Sequence, residues 1–361
     1  MSIPHEFGLS SVAVIIPCYQ CAQTIEQVVA DIPANIGHVI CVDDASDDGT
    51  AQALLRVNAR HRRVTVLTHE TNLGVGGATA TGYRKALELG ARIIVKLDSD
   101  GQMNPAFIPA LVAPIQQGEA DYCKGNRFFD IDSVRAMPAV RLIGNAGLSF
   151  ISKLSTGYWD LLDPTNGYTA IHADVAAILP LDKLHKRYFF ESDMLFRLST
   201  FDARVVEQPM ETRYGDEISH LSPFNALLTF PLLHLRNLTK RIGYNYFLRN
   251  FSAASLNLLA GLTLGGFGLA FGASAWVESS LSGTPATPGT VMLGAIPLLV
   301  GIQLCLAFLQ YDVARVPRSA IHTNILRRRL LITTSRNKDT DVHAEQVQSH
   351  QATSRRAAKV N

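Results

Sequence analysis

Two stretches without a charged side chain limit what this chain can fold into: Phe251 to Trp276 and Val291 to Tyr311. At 1.5 Å per residue, a helix over either is long enough to cross a hydrocarbon core about 30 Å thick. The competing reading is a buried helical hairpin of a soluble protein, but the runs are too long and too rich in Gly and Leu to need a soluble core. The connector Val277–Thr290 has no Lys or Arg. The outer flanks carry Lys240, Arg241 and Arg249 on one side, and Arg315, Arg318 and Arg327 to Arg329 on the other. That bias puts both ends of the hairpin in the cytoplasm. No acid, Lys or Arg lies inside either run, so the hairpin reads as an anchor rather than a transport path. Leu227 to Arg241 mixes apolar and basic residues as an interfacial helix would. Arg236, Lys240, Arg241 and Arg249 are expected at anionic lipid.

The 361 residues exceed one average domain. The expected division is a catalytic part over 1–222, juxtamembrane helices over 223–250, two spans within 251–312 (251–276 and 291–311) and a basic tail over 313–361, read as disordered. A net charge of +2 argues against a nucleic-acid partner. The five cysteines are odd in number, and four lie in or beside apolar runs, as buried thiols do. Cys18 and Cys21 form a Cys-x-x-Cys, but no second pair completes a zinc site. A reducing, cytosolic side suits the soluble part. Met1 to Ser10 lacks a charged segment followed by a long apolar core, so no signal peptide is expected there.

Ahead of the hairpin, short apolar runs alternate with helical stretches. Strands are expected over Ser11–Pro17, Gly37–Asp43, Arg63–Thr68 and the run ending at Asp98. Helices are expected over about Thr24–Asp31, Ala51–Arg60 and from the Asn72–Ala78 turn to about Leu89. This alternation, with near-continuous apolar strands, predicts a parallel sheet covered on both faces. The second half is less regular: a helix over Pro105–Gln117, a strand near Ala120–Gly125, a helix over Leu142–Leu154, a turn at Asp163–Tyr168, a helix over Phe190–Thr200 and a last strand over Ala203–Gln208.

The strand ending Lys96-Leu97 runs into Asp98-Ser99-Asp100-Gly101-Gln102. In open α/β sheets ligands bind beyond the carboxyl ends of the strands. Two carboxylates one residue apart can share a hard divalent cation that takes its other ligands from water and phosphate. A solvated Asp/Gly turn is the plain alternative. Asp43-Asp44 ends the second strand, on the same sheet edge, and suits hydrogen bonds to a base or ribose; Ser46 or Asp47 is expected to cap the next helix. Gly74-x-Gly76-Gly77-Ala78 lacks the third glycine of a dinucleotide fingerprint, because Thr79 stands there. It reads as a tight turn that lets a helix start close to a ligand.

Taken in order, Pro17-Cys-Tyr19, Asp43-Asp44-Ala-Ser-Asp-Asp48-Gly-Thr50, Asn72-Leu-Gly-x-Gly-Gly77, Asp98-Ser-Asp100-Gly-Gln102, Gly125-Asn-Arg127-Phe and Asp163-Pro-x-Asn166-Gly167 resemble the second glycosyltransferase family. Within it the chain is similar to the dolichyl- or polyprenyl-phosphate sugar synthases, including a bactoprenol glucosyltransferase-like branch with two C-terminal spans. The resemblance implies a GT-A fold, a nucleoside-diphosphate sugar donor of GDP-mannose or UDP-glucose type, a polyprenyl-phosphate acceptor and Mg²⁺ or Mn²⁺. It implies an integral membrane protein with its catalytic part and both termini cytoplasmic, a bacterial inner membrane being the implied site, and leaves self-association open. Position by position, Pro17, Tyr19, Asp43 and Asp44 would hold base and ribose. Asp98, Asp100 and Gln102 would bind metal and, with Ser99, the diphosphate. Arg127, Arg141 and Asn145 match positions for the lipid phosphate. Arg213 matches an arginine facing the donor diphosphate, and His220 stands where Lys is common, so its charge would depend on pH. Cys21 stands where the family often has Glu, and Tyr214–Ser219 is slightly longer than usual.

The chemistry follows from the groups. A cation neutralises the leaving diphosphate. A phosphomonoester acceptor, with a second pKa of about 6, is largely ionised at neutral pH and needs little help from a base. Asp100, Arg127, Arg213 and Asp193 are the catalytic candidates, with Glu191 and Asp193 as spare bases. These two acids lie two apart at a helix start, do not share a face, and read equally well as acids facing the helix dipole. The alternatives are a glycosyltransferase with another lipid or a polysaccharide acceptor, and a catalytically silent membrane scaffold.

Overall fold

The structure is a computed structural model and describes residues 8–128, 139–210 and 223–325. Seven strands form one sheet: β1 (Val12–Cys18), β2 (His38–Asp43), β3 (Val64–Thr68), β4 (Ile93–Lys96), β5 (Tyr122–Asn126), β6 (Thr169–His172) and β7 (Val205–Pro209). Their order is β3-β2-β1-β4-β6-β5-β7. β1 pairs in parallel with β2 and β4, β2 with β3, and β5 with β7. β6 runs antiparallel to both β4 and β5. The sheet is therefore mostly parallel, as expected, with one reversed strand, β6, in a stretch just after the Asp163–Tyr168 turn for which no strand was expected. Asn166 sets the reversal. Its side-chain oxygen accepts from Tyr168 N at 2.9 Å, and its amide donates to Gly125 O at 2.7 Å.

The helices are α1 (Ile25–Asp31), α2 (Thr50–Arg60), α3 (Val75–Glu88), α4 (Ile108–Gln116), α5 (Ala139–Thr156), α6 (Ala173–Ile178), α7 (Phe190–Thr200) and α8 (Pro223–Ile242). Every residue of β1 is buried, and alternate residues serve different cores. Val12, Val14 and Ile16 pack with Ile25 of α1, Leu54 of α2 and Leu111 of α4. Ala13 and Ile15 pack with Tyr83 of α3 and Met194 and Leu195 of α7. A two-residue side-chain period in a strand covered on both faces produces this division.

After α8 and a π-helical turn (Gly243–Leu248) come α9 (Ala253–Ser282) and α10 (Pro288–Ala314). Both are long and apolar enough to cross a membrane by length and composition. They exceed the charge-free runs, so the expected connector shrinks to residues 283–287. Gly283 ends α9 in a left-handed conformation, and the Thr287 side chain accepts from Thr290 N at the start of α10. The pair packs closely through glycines: a Cβ on Gly301 would lie 2.3 Å from Gly265 N. Small residues permit such close approach of two helix backbones.

Two expectations are corrected here. Arg241 does not face lipid; it is 3% exposed and forks onto Asp312 at 2.6 and 2.9 Å. Arg249 pairs with Asp202 at 2.8 Å. The tail expected to be disordered from residue 313 is docked as far as it is described. Asp121, fully buried just ahead of β5, accepts from Ile321 N, His322 N and His322 Nδ1 at 2.8–2.9 Å. The His322 ring stacks on His172 at 4.2 Å. Residues from 326 onward lie outside the described residues.

Candidate active site

β1, β2 and β4 end at one edge of the sheet, and a cavity of about 570 Å³ opens there. Of the expected site residues it is lined by Pro17, Tyr19, Asp44, Asp98, Ser99 and Asp100. The loops that carry them are laced together. Gln20 N meets Ser46 Oγ at 3.2 Å, Cys21 N meets Thr50 Oγ1 at 2.9 Å, and Ala22 N meets Asp48 Oδ2 at 3.2 Å. Asp48, rather than Ser46 or Asp47, accepts from the Thr50 N–H and hydroxyl at the start of α2. Gln20 and Ala45 hold left-handed φ values of 52° and 59°. Each immediately follows a cavity residue, and backbone strain of this kind gathers at functional sites.

The two acids after β2 divide their work. Asp43 accepts from Ser46 N at 3.1 Å and does not line the cavity. Asp44 accepts from Leu73 N (2.8 Å) and Gly74 N (2.7 Å) and meets His69 Nδ1 at 2.7 Å. It therefore clamps the glycine turn as well as lining the cavity. The glycines of that turn admit a chain segment, not only a ligand. A Cβ on Gly74 would lie 2.5 Å from Lys186 O, and one on Gly76 would lie 2.1 Å from His185 O.

Asp98 and Asp100 are partly exposed. Asp98 Oδ1 accepts from Lys96 Nζ at 2.6 Å, and Asp100 Oδ1 accepts from Gln102 N at 2.9 Å. Gln102, expected as a metal ligand, does not line the cavity. Among the described residues no group of three or more His, Cys, Asp or Glu could hold a metal. Two neighbouring carboxylates suit a hard cation completed by water and diphosphate rather than a closed protein cage. The donor set thus fits Mg²⁺ or Mn²⁺.

Lys96, Arg187, Tyr188 and Glu191 also line the cavity. Lys96 is 1% exposed and lies 3.6 Å from Glu191 Oε1 and 3.3 Å from Gly167 O. Burial alone would depress its ammonium, but Asp98 and Glu191 outweigh burial and hold it above the usual lysine range. The sequence reading missed Lys96, although a charge two residues before Asp98 at the end of an apolar strand was a usable signal: i and i+2 project to one face. Lys124 contrasts with it. Burial lowers its pKa to about 8 against the pull of Asp163, Glu191 and Glu207, and its Nζ donates to Asn166 O at 2.6 Å.

Glu191 and Asp193 part company, as their spacing implied. Glu191 reaches the cavity; Asp193, a catalytic candidate, does not line it. Asp193 accepts from His185 N (3.0 Å), Arg197 Nε (2.9 Å) and Asn237 Nδ2 (3.3 Å). Arg127 is forked onto the buried Asp163, Nε to Oδ2 at 2.7 Å and Nη2 to Oδ1 at 3.0 Å. Asp163 N in turn donates to Glu207 at 2.7 Å. Burial raises the Glu207 pKa, with bonds from Leu162 N and Asp163 N opposing. Arg141 and Asn145 fall near the start of α5. Arg213 and His220 lie outside the described residues. Cys18, Cys21 and Cys41 are buried and free.

The model of the family described as Glycosyl transferase family 2 matches residues 13–178. A UDP-N-acetylglucosamine--dolichyl-phosphate N-acetylglucosaminyltransferase of Methanococcus voltae is 32% identical over 233 residues, covering 61% of this chain and 92% of that one. An undecaprenyl-phosphate mannosyltransferase of Micrococcus luteus is 34% identical over 173 residues, 48% of this chain and 70% of its own. A polyprenol monophosphomannose synthase of Mycolicibacterium smegmatis is 30% identical over 201 residues, 55% and 75% of the two chains. Among solved structures, glucosyl-3-phosphoglycerate synthase from Mycobacterium tuberculosis aligns over 64% of this chain and 80% of its own, at 21% identity and a TM-score of 0.48. On the strength of these sequence relatives the chain belongs to glycosyl transferase family 2, and it is a glycosyltransferase.

Proposed function

We propose that this glycosyltransferase moves one sugar, with inversion, from a UDP- or GDP-linked donor to a polyprenyl phosphate, and that α9 and α10 anchor it in a membrane with the catalytic part on the cytoplasmic side. The observation that carries the reading is the single cavity shared by Pro17 and Tyr19, which offer flat apolar surface to a base, and Asp98 and Asp100, which suit a cation and diphosphate. The lipid acceptor is supported by relatives named for dolichyl, undecaprenyl or polyprenol phosphates. Membrane anchoring is supported by the length of the two helices and by the small buried share of their apolar windows, 11% and 17%.

In this reading Asp98 and Asp100 would hold Mg²⁺ or Mn²⁺, which when bound would supply positive charge to the leaving diphosphate. Lys96 fixes one oxygen of Asp98, and so orients that carboxylate. Pro17, Tyr19 and Asp44 serve the nucleoside, and Asp43 braces the loop behind them through Ser46 N. Arg127, oriented by Asp163, would take the acceptor phosphate with Arg141 and Asn145, and the donor diphosphate is the role assigned to Arg213 and His220. A phosphate oxygen attacks the anomeric carbon and forms a C–O bond on the face opposite the leaving group. The bond from that carbon to the diphosphate breaks, and the nucleoside diphosphate departs with the electron pair. The attacking phosphate is already ionised, so no proton need be removed. Apolar and basic residues at the surface of α8, among them Leu232, Leu235, Arg236 and Lys240, suit the depth at which a lipid phosphate lies.

The test pairs a screen with a variant. Membranes supplied with polyprenyl phosphate are offered radiolabelled nucleotide sugars one at a time, and one donor is expected to label the lipid. Asp100→Ala should then lower turnover by about a hundredfold or more and abolish cation-dependent donor binding. Full activity in that variant, or in excess chelator, would overturn the assignment.

A further inference from the structure

We infer that Arg187 contacts the donor diphosphate from a preformed loop, and that Asp193 is the residue that positions it; the inference rests on the donor reading above. The start of α3 explains why a side chain is needed. The first N–H groups of a helix have no intrahelical partner and often hold phosphate. Here Gly76 N and Gly77 N donate to Lys186 O at 2.8 and 3.2 Å. The loop 185–188 has taken donors that a glycine-rich turn would otherwise present to an anion. The same loop brings Arg187 and Tyr188 to the cavity that holds Asp98, Ser99 and Asp100.

The stem of Arg187 follows the glycine turn, its Cγ 3.0 Å from where a Cβ of Gly74 would sit. Neighbouring arginines are committed elsewhere, Arg84 to Asp182 and Arg197 to Asp193. Among the described residues no carboxylate pairs with Arg187. Among the described residues that line the cavity, Asp44, Asp98, Asp100 and Glu191 outnumber Lys96, so a bound diphosphate gains from a further cation beside it.

The loop is held at its other end as well. Asp193 Oδ2 accepts from His185 N at 3.0 Å and from Arg197 Nε at 2.9 Å, and Arg197 also donates to Lys183 O. Arg187 O accepts from Phe190 N at 2.9 Å. A loop already ordered loses little entropy when its arginine binds, which favours affinity. Asp193 thus acts through Arg187, not on the reacting atoms.

The experiment titrates the full chain in detergent with UDP or GDP, and with UMP or GMP, in the presence of Mn²⁺. Arg187→Gln should weaken binding of the preferred nucleoside diphosphate about tenfold and change the monophosphate little. Arg187→Lys should restore part of the loss, because charge returns without the fork. Asp193→Asn should weaken the diphosphate severalfold in the wild-type background and add nothing in Arg187→Gln, the coupling expected of two residues acting as one. Equal diphosphate affinity in Arg187→Gln and wild type overturns the inference, and so does a loss confined to the acceptor dependence of transfer. Additive effects overturn the role given to Asp193. A wild-type chain that binds neither UDP nor GDP overturns the donor reading, and this inference with it.

Discussion

At the edge where β1 and β4 end, Asp98, Asp100 and Glu191 border a cavity and have one buried cation, Lys96, among them. Around β5 and β7, and where the hairpin joins, Asp121, Asp163 and Asp312 are buried, and each collects donors from segments remote in sequence. Asp312 shows the pattern most fully. It accepts from Arg241 Nη1 and Nη2, from Tyr246 Oη at 2.5 Å and from Trp159 Nε1 at 2.9 Å. Charges of the first kind line a space that a ligand can enter. Charges of the second kind fasten the hairpin and its flanks to the catalytic part, and removing one partner strands the other. Substitutions should therefore separate: binding changes at the cavity, stability changes at the joints.

The largest expected effect is at the joint. Arg241→Ala leaves the Asp312 carboxylate buried without its cation, and loss of one partner of a buried pair costs about 3–5 kcal/mol. Replacing both, as Arg241→Met with Asp312→Leu, should recover only part of that loss: two desolvated charges disappear together, but Tyr246 Oη and Trp159 Nε1 lose their acceptor. Chemical denaturation of the purified chain in detergent measures both. A single variant as stable as wild type would erase the distinction between the two regions.

The same contrast explains what the sequence disclosed. Strands β1, β2 and β4 are continuous apolar runs that end in turn residues, so their place and the acids at their tips follow from local pattern. Asp98, Asp100, Pro17 and Tyr19 reach one cavity because parallel strands bring their ends to one edge. The other half depends on pairings that no period encodes. β6 has four residues and follows a turn, and its reversal is decided by Asn166 reaching Gly125. Asp312 directly follows the charge-free run and marked only a boundary, since nothing nearby announces Arg241. Arg127 is legible as a cation, but Asp163 and Glu207 behind it are not. The basic Lys186-Arg187 pair ahead of Glu191 and Asp193 was a visible signal, yet its link to the glycine turn is purely tertiary.

A second test at the joints uses pH. His234 of α8 is 1% exposed, its ring 4.8 Å from Phe189, with Nδ1 2.7 Å from Ser155 Oγ. Burial lowers its pKa from 6.5 to about 4. Below pH 6.5 the unfolded chain takes up a proton that the folded chain refuses until about pH 4. The stabilisation is thus present above pH 6.5 and declines as pH falls, by about 3 kcal/mol across the window. Carboxylates titrate near the lower end too, so the informative quantity is the difference between wild type and His234→Asn, measured by denaturation at each pH. Parallel curves for the two would show that the ring does not resist protonation.

The smallest effect belongs to the cavity side and has the opposite sign. Ala45, next to Asp44, holds a left-handed φ of 59°. That conformation costs an L-residue roughly 1–2 kcal/mol, and glycine is free of the penalty. Glycine also loses more backbone freedom on folding, by roughly 0.5–1 kcal/mol. Ala45→Gly should therefore stabilise the chain by about 0.5–1 kcal/mol, where a typical substitution at a joint destabilises. The strain persists because Asp43 accepts from Ser46 N on one side of Ala45 and Asp44 grips Leu73 N and Gly74 N on the other. Those bonds over-determine the loop, and the replacement leaves them in place. Denaturation midpoints of Ala45→Gly and wild type under one condition decide the matter. A destabilised Ala45→Gly would mean that the Ala45 methyl contributes packing larger than the backbone penalty, and that the cavity edge is held by contacts as the joints are.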